Sequence, residues 1–277
     1  MSVAVFSIIL LAAAFHATWN AIVKGGADTV MTTALVAGSA AFISMAGAPF
    51  LPPPSRASWP FLAASTAFQI GYYVLIARTY RIADMSLAYP LMRGTAPLLV
   101  AIASVACLGQ TLGPIAWIGV VVICGGIVSM VANLRPGQGR GIFPALSNAL
   151  VIAGYTLIDG NGARRSGAPV AYAFWLFLFS GAPFFAWVFW VRRTVFRTFV
   201  ADHWRVGLAG GFGTVASYGL ALWAMTRAPI AVVAALRETS ILFGTAISAF
   251  VLKERVTRAR IVGACIIAAG AVVLRLA

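Results

Sequence analysis

Charge is what this sequence has least of. Only 9% of its 277 residues are charged, six of them acidic, and it has two histidines, His16 and His203. A soluble chain of this length cannot cover its surface with so few ions. The same scarcity removes most catalytic chemistry. There is no Gly-x-Ser-x-Gly, no His-Glu-x-x-His, no acidic cluster for a phosphate-bound metal and no nucleotide loop. The chain is therefore read as a non-enzyme with no cofactor and no metal. Cysteine is scarce as well. Cys107, Cys124 and Cys265 lie inside apolar stretches, are odd in number and match no metal-site spacing. They are read as small packing residues with no disulfide.

Basic residues outnumber acidic ones and give a net charge of +14. No Lys/Arg-rich run or nucleic-acid motif accompanies that charge, so no nucleic-acid partner is expected. The arginines fall between apolar segments, where they set topology. The richer set, including Lys24, Arg78, Arg81, Arg135, Arg192, Arg193 and Arg197, marks the cytoplasmic side and puts both termini outside.

What the chain does have is apolar length. Hydrophobic residues make up 61% of it and the mean hydropathy is +0.95. The apolar stretches run to about twenty residues, which predicts transmembrane helices rather than the roughly ten-residue alternation of a membrane barrel. Ten spans are predicted, at 3–23, 30–51, 59–80, 84–107, 113–132, 140–160, 169–190, 203–226, 230–252 and 256–275. Turn chemistry separates them, as at Lys24-Gly25-Gly26 and Arg164-Arg165-Ser166-Gly167. The first stretch lacks a basic leader and a small-residue cleavage site, so it is read as a span and not a signal peptide. The lipid bilayer is the expected partner of this surface.

Two parts of the chain repeat. Residues 59–107 lie on 204–252 without a gap, at an offset of 145: Trp59 meets Trp204, Tyr73 meets Tyr218, Leu75 meets Leu220, Ala83 meets Ala228 and Leu91 meets Leu236. The halves are 1–134 and 140–277, with five spans each. Five is odd, so the second copy enters the membrane upside down. The fold class is thus an all-α polytopic membrane protein, ten helices in an inverted five-plus-five repeat around a central cavity. In the last span of each half Gly119 and Gly126 correspond to Gly263 and Gly270, glycines seven apart that favour close helix packing.

On the same offset Arg93 meets Glu238, read as the only charged groups at mid-membrane depth. Such groups cost roughly 2.5–3.5 kcal/mol each to insert. Arg93 is expected to hold a substrate carboxylate and Glu238 an ammonium. Alternatively the two pair with each other, or Glu238 pairs with Arg237, and hold the halves together. Arg237 itself, about 100° around the helix from Glu238, is expected to face a neighbouring helix.

His16, Trp19 and Asn20 share one face of the first helix, and Tyr155 and Thr156 take the places of Trp19 and Asn20 in the second copy. Cavity walls and interhelical hydrogen bonding both fit that face. Tyr73 and Tyr218 form a second symmetric aromatic pair, with Gln69 one turn before Tyr73 and Tyr89 one turn before Arg93. The predicted cavity therefore has aromatic walls and few charges. Pro90 and Pro97 lie within one helix, as hinges or as static kinks. Glu238 and His16 are the mid-span groups that would serve proton coupling.

The stretch Ala88-Tyr89-Pro90-Leu91-Met92-Arg93-Gly94-Thr95-Ala96-Pro97 resembles the drug/metabolite transporter superfamily, in its EamA branch of ten-helix exporters. So do Leu236-Arg237-Glu238-Thr239-Ser240, Leu252-Lys253-Glu254-Arg255 and the opening His16-Ala17-Thr18-Trp19-Asn20-Ala21. Gln110 departs from the glutamate usual after the fourth span, which Glu254 keeps in the second copy. The resemblance is specific for the fold and weak for the substrate. It implies a basket of helices working by alternating access. It also implies export of amino acids, aromatic and apolar ones included, and related metabolites, most like YddG-type amino-acid exporters. The expected setting is the cell inner membrane, with a monomer sufficient for function. Two alternatives stay open: a passive facilitator of small metabolites or organic cations, and a lipid-linked carrier or flippase.

Overall fold

The computed structural model describes residues 1–82, 85–129, 141–250 and 257–277, with side chains 73, 74, 76–78, 80–82, 85–90, 248 and 260 left out. Eleven α-helices and two single 3-10 turns make up its regular structure. They are α1 (Val3–Gly25), α2 (Thr29–Gly47), α3 (Trp59–Ile82), α4 (Met85–Leu108), α5 (Pro114–Ser129) and α6 (Ile142–Ser166). Then come α7 (Pro169–Val191), α8 (Arg193–Met225), α9 (Ile230–Arg237), α10 (Ser240–Phe250) and α11 (Arg258–Leu276). Seven helical stretches among the described residues are long and apolar enough to cross a membrane, one of them, Ile230–Ile247, made of α9 and most of α10 together, and α5 and most of α11 are shorter apolar helices. Trp187, Trp190, Phe143 and Phe250 are exposed. That suits a surface whose solvent is lipid.

Three boundaries differ from the sequence reading. The predicted span 230–252 is split into α9 and α10 at Glu238 and Thr239. There Glu238 N–H donates to Ala235 O (3.1 Å) and Thr239 N–H to Leu236 O (3.0 Å), a tightened three-residue pattern. The Thr239 hydroxyl also donates to Leu236 O at 2.7 Å and competes with the regular ladder. The predicted sixth span stops at 160, whereas α6 runs on to Ser166 and ends at Gly167, whose φ of +67° is open to glycine without strain. The segment read as a loop before 203 is the start of α8, a 33-residue helix. At 1.5 Å per residue it is about 50 Å long, well beyond a hydrocarbon core of about 30 Å.

Contacts between loops show which ends of the helices lie together. At one end Ser55 N–H donates to Ser166 O (2.9 Å) and the Ser55 hydroxyl to Arg165 O (2.8 Å). Arg164 joins this end to the α8 terminus, Nε to Met225 O at 2.7 Å and Nη2 to Ala228 O at 2.9 Å. It thereby caps carbonyls that the helix leaves without partners. At the other end Asp28 caps α2 by accepting from Met31 N–H (3.0 Å) and binds Arg192 Nη1 at 2.8 Å. The Met31 amide first, and Arg192 with it, hold the Asp28 carboxyl below its ordinary range.

The packing pairs are related by exchange. α1 lies on α8 and α3 on α6; α4 lies on α6 and α10 on α1. α2 packs on α7, α5 on α11 and α4 on α9. The α5–α11 seam runs through the glycines. A Cβ on Gly119 would sit 2.5 Å from Leu274 Cγ, one on Gly270 2.6 Å from Ile123 Cγ1, and one on Gly126 3.1 Å from Gly263 O. Around this seam the core is fully buried, with Ile123, Ile127, Ile230, Leu236 and Ile267 among its members.

Candidate functional site

Helices α1, α2, α3, α4, α6, α7, α8 and α9 enclose a cavity of about 220 Å³. α1 contributes His16, Trp19 and Asn20, one polar and aromatic face as their spacing requires. Asn20 Nδ2 donates to His16 O (2.7 Å), and the His16 and Trp19 rings meet edge to face at 5.3 Å. α3 brings Gln69, whose Nε2 donates to Ser65 Oγ at 3.3 Å, and Tyr72. Tyr155 of α6 faces Tyr72 edge-on, centroids 6.2 Å apart. α8 contributes Thr214, Ser217 and Tyr218, and Phe177 of α7 meets the Tyr218 ring at 6.0 Å.

Arg93 of α4 lies on the wall, and its Nε donates to Glu238 Oε2 at 3.0 Å. The side chains are 12% and 7% exposed, so the pair is largely out of solvent. Arg93 Nη2 also approaches His16 Nε2 at 3.5 Å. The two partners are 145 residues apart, which is the repeat offset. α4 packs on α9, which brings the two side chains together. Glu238 sits behind Arg93, buried at 5% exposure.

Arg237 also lines the cavity, rather than turning to a neighbouring helix as its sequence neighbour implied. The angular argument assumes a continuous helix, and α9 ends at Arg237. Its guanidinium lies over the Tyr218 ring, 5.0 Å from the centroid. α2 and α7, outside the predicted lining set, reach the wall through Thr33, Val36, Ala37, Phe177, Ser180 and Gly181. They approach closely because Gly181 lacks a side chain: a Cβ there would lie 2.5 Å from Ala37 O.

A third mid-helix charge accompanies Arg93 and Glu238. Asp159 of α6 is fully buried. Its Oδ1 accepts from the Tyr172 hydroxyl (3.0 Å) and its Oδ2 from the Tyr218 hydroxyl (2.5 Å). The sequence reading set this residue at the end of a span, and its tyrosine partners on α7 and α8 carry no local signal. Asp159 therefore joins Glu238 and His16 among the ionisable groups inside the helices. Of the predicted site residues, His16, Trp19, Asn20, Gln69, Arg93, Tyr155 and Tyr218 come together on the cavity wall. The side chains of Tyr73, Tyr89 and Pro90 lie outside the described residues. Pro97 is buried within α4.

Comparison with known proteins places this architecture. No curated protein matches the chain. A solved structure described only as a crystal structure of a protein is similar over 100% of this chain and 98% of its own, with a TM-score of 0.75 and 18% identity. That likeness concerns the fold. The sequence pattern of the EamA-like transporter family matches residues 4–132 and 139–276, nearly the whole chain. The protein accordingly belongs to the EamA-like transporter family and is a multi-pass membrane transporter of small molecules.

Proposed function

We propose that this protein is a secondary transporter of the cell inner membrane. It exports amino acids, aromatic and apolar ones included, by alternating access. Its halves, 1–134 and 140–277, form an inverted repeat, and a single copy suffices. The observation that carries this reading is the cavity, about 220 Å³, with aromatic walls and two arginines on its lining, one of them paired with Glu238 behind it. Drug-sized ligand sites run to roughly 300–1,000 Å³, so this one suits a small metabolite.

The exchange-related helix contacts and the contact between Arg93 and Glu238 support a pseudo-twofold arrangement with the site at the repeat interface. In this arrangement the Arg93–Glu238 pair locks α4 to α9 in one state, and substrate loosens it by competing for either partner. Pro97, with Pro90, supplies the bend. A lipid-linked carrier would need a basic cleft near one membrane surface; the basic segment from Arg192 to Arg197 instead begins α8, and Arg192 is engaged by Asp28.

Uptake into liposomes holding the purified protein tests the reading. Labelled amino acids, an organic dication and a sugar phosphate are compared with and without a pH gradient. Amino-acid uptake above empty liposomes, accelerated by the same amino acid on the far side, is expected. A passive facilitator would show uptake without that acceleration. Movement of the dication or sugar phosphate alone would overturn the substrate assignment.

A further inference from the structure

Two arginines reach the cavity and, among the described residues, only one of them is in an ion pair. Arg93 is bonded to Glu238 at 3.0 Å. Among the described residues, Arg237 makes no ion pair and its side chain donates no hydrogen bond; its contact is the Tyr218 ring at 5.0 Å. Arg237 is partly exposed to the cavity, and a contact with a ring uses none of its N–H donors, which can grip a carboxylate by two parallel hydrogen bonds.

The ring beneath it is fixed. The Tyr218 hydroxyl donates to Asp159 Oδ2, Tyr172 holds the other oxygen of the same carboxylate, and Phe177 abuts the ring. Next along α8, Ser217 lines the cavity at 1% exposure, and its hydroxyl has no hydrogen-bond partner among the described residues. Buried hydroxyls are almost always partnered, so this one is available to a ligand. The two buried carboxylates are both engaged, Glu238 by Arg93 and Asp159 by two tyrosines.

We propose that Arg237, with the Ser217 hydroxyl, is the anion-binding subsite of the cavity and receives the carboxylate of an apolar organic acid, for which an amino group is dispensable. Asp159 is a positioning residue that holds the guanidinium in place through the Tyr218 ring. This rests on reading the cavity as the transport site. The aromatic side chains of the lining, Trp19, Tyr72 and Tyr155, take the apolar part of the ligand.

The test is competition against labelled phenylalanine uptake in liposomes holding the full chain. The competitors are 3-phenylpropionate, which lacks the amine, and phenylalaninamide, which lacks the carboxylate. Wild type should be inhibited by the acid at a roughly ten- to hundredfold lower concentration than by the amide, the worth of a charge-assisted hydrogen bond. Arg237→Gln should erase that preference, Arg237→Lys should restore part of it, and Tyr218→Phe should lower it while keeping the ring. The ratio of the two competitors reports recognition, so a variant that only folds less well leaves it unchanged. If wild type takes up no phenylalanine, the transport reading fails. If it does so but the amide competes as well as the acid, or Arg237→Gln keeps the acid preference, the subsite is overturned. An unchanged ratio in Tyr218→Phe removes Asp159 from the proposal.

Discussion

Arg93 and Arg237 reach the same cavity from α4 and α9, but among the described residues only Arg93 is ion-paired, with Glu238 at 3.0 Å. Arg237 lies over the Tyr218 ring, 5.0 Å from its centroid. Arg164 resembles Arg93 in being used up, its guanidinium closing the carbonyl end of α8. The difference teaches how a chain with so little charge deploys it. Some arginines are parts of the frame, and one is left for cargo.

Breaking the frame should be costly and breaking the cargo site should not. Arg93→Gln or Glu238→Gln alone should lower stability by about 3–5 kcal/mol, because each leaves a buried charge without its partner. The double variant should recover most of that loss. Thermal unfolding of the purified protein in detergent measures both, and single variants that melt with wild type would show that the pair does not hold α4 to α9. Arg164→Met should cost about 2 kcal/mol in the same assay, since two backbone acceptors lose a charged donor.

Asp28→Asn keeps the cap on α2 but removes the charge facing Arg192, an exposed pair worth less than about 1 kcal/mol. The carboxyl is held below its ordinary range, so its contribution is present at neutral pH and is lost as pH falls through that lowered value. The gap between wild type and Asp28→Asn, followed by thermal unfolding across pH, should therefore close in acid below about pH 3.9. Arg237→Gln should change the unfolding temperature least of all, within about 0.5 kcal/mol, while altering ligand preference. A large destabilisation there would place Arg237 with the frame.

Identical residues recur in the sequence at one offset, and the same offset brought Arg93 and Glu238 together as a pair, which the structure joins at 3.0 Å. What the offset left open was whether they hold substrate or each other, and that depended on a distance between helices. Tyr72 lines the cavity, yet the repeat did not mark it, because its counterpart at the offset of 145 is Ser217 rather than an aromatic. Ala37 and Gly181 had no periodic signal, because a residue that admits a neighbour by being small looks like any other apolar position. Asp159 was hidden by a boundary. The tyrosines that bond its carboxylate lie on two other helices and are distant in sequence. The break after Arg237 is set by three-residue hydrogen bonds that hydropathy does not register.

The seam between α5 and α11 limits how this sequence can drift. Gly119 faces Leu274, and Gly270 faces Ile123, each too near for one more carbon. A larger residue on either helix would therefore have to arrive with a smaller one opposite it. Variation at the seam should come in complementary pairs, with distant kin matching there in their order of small and large residues even where few letters agree.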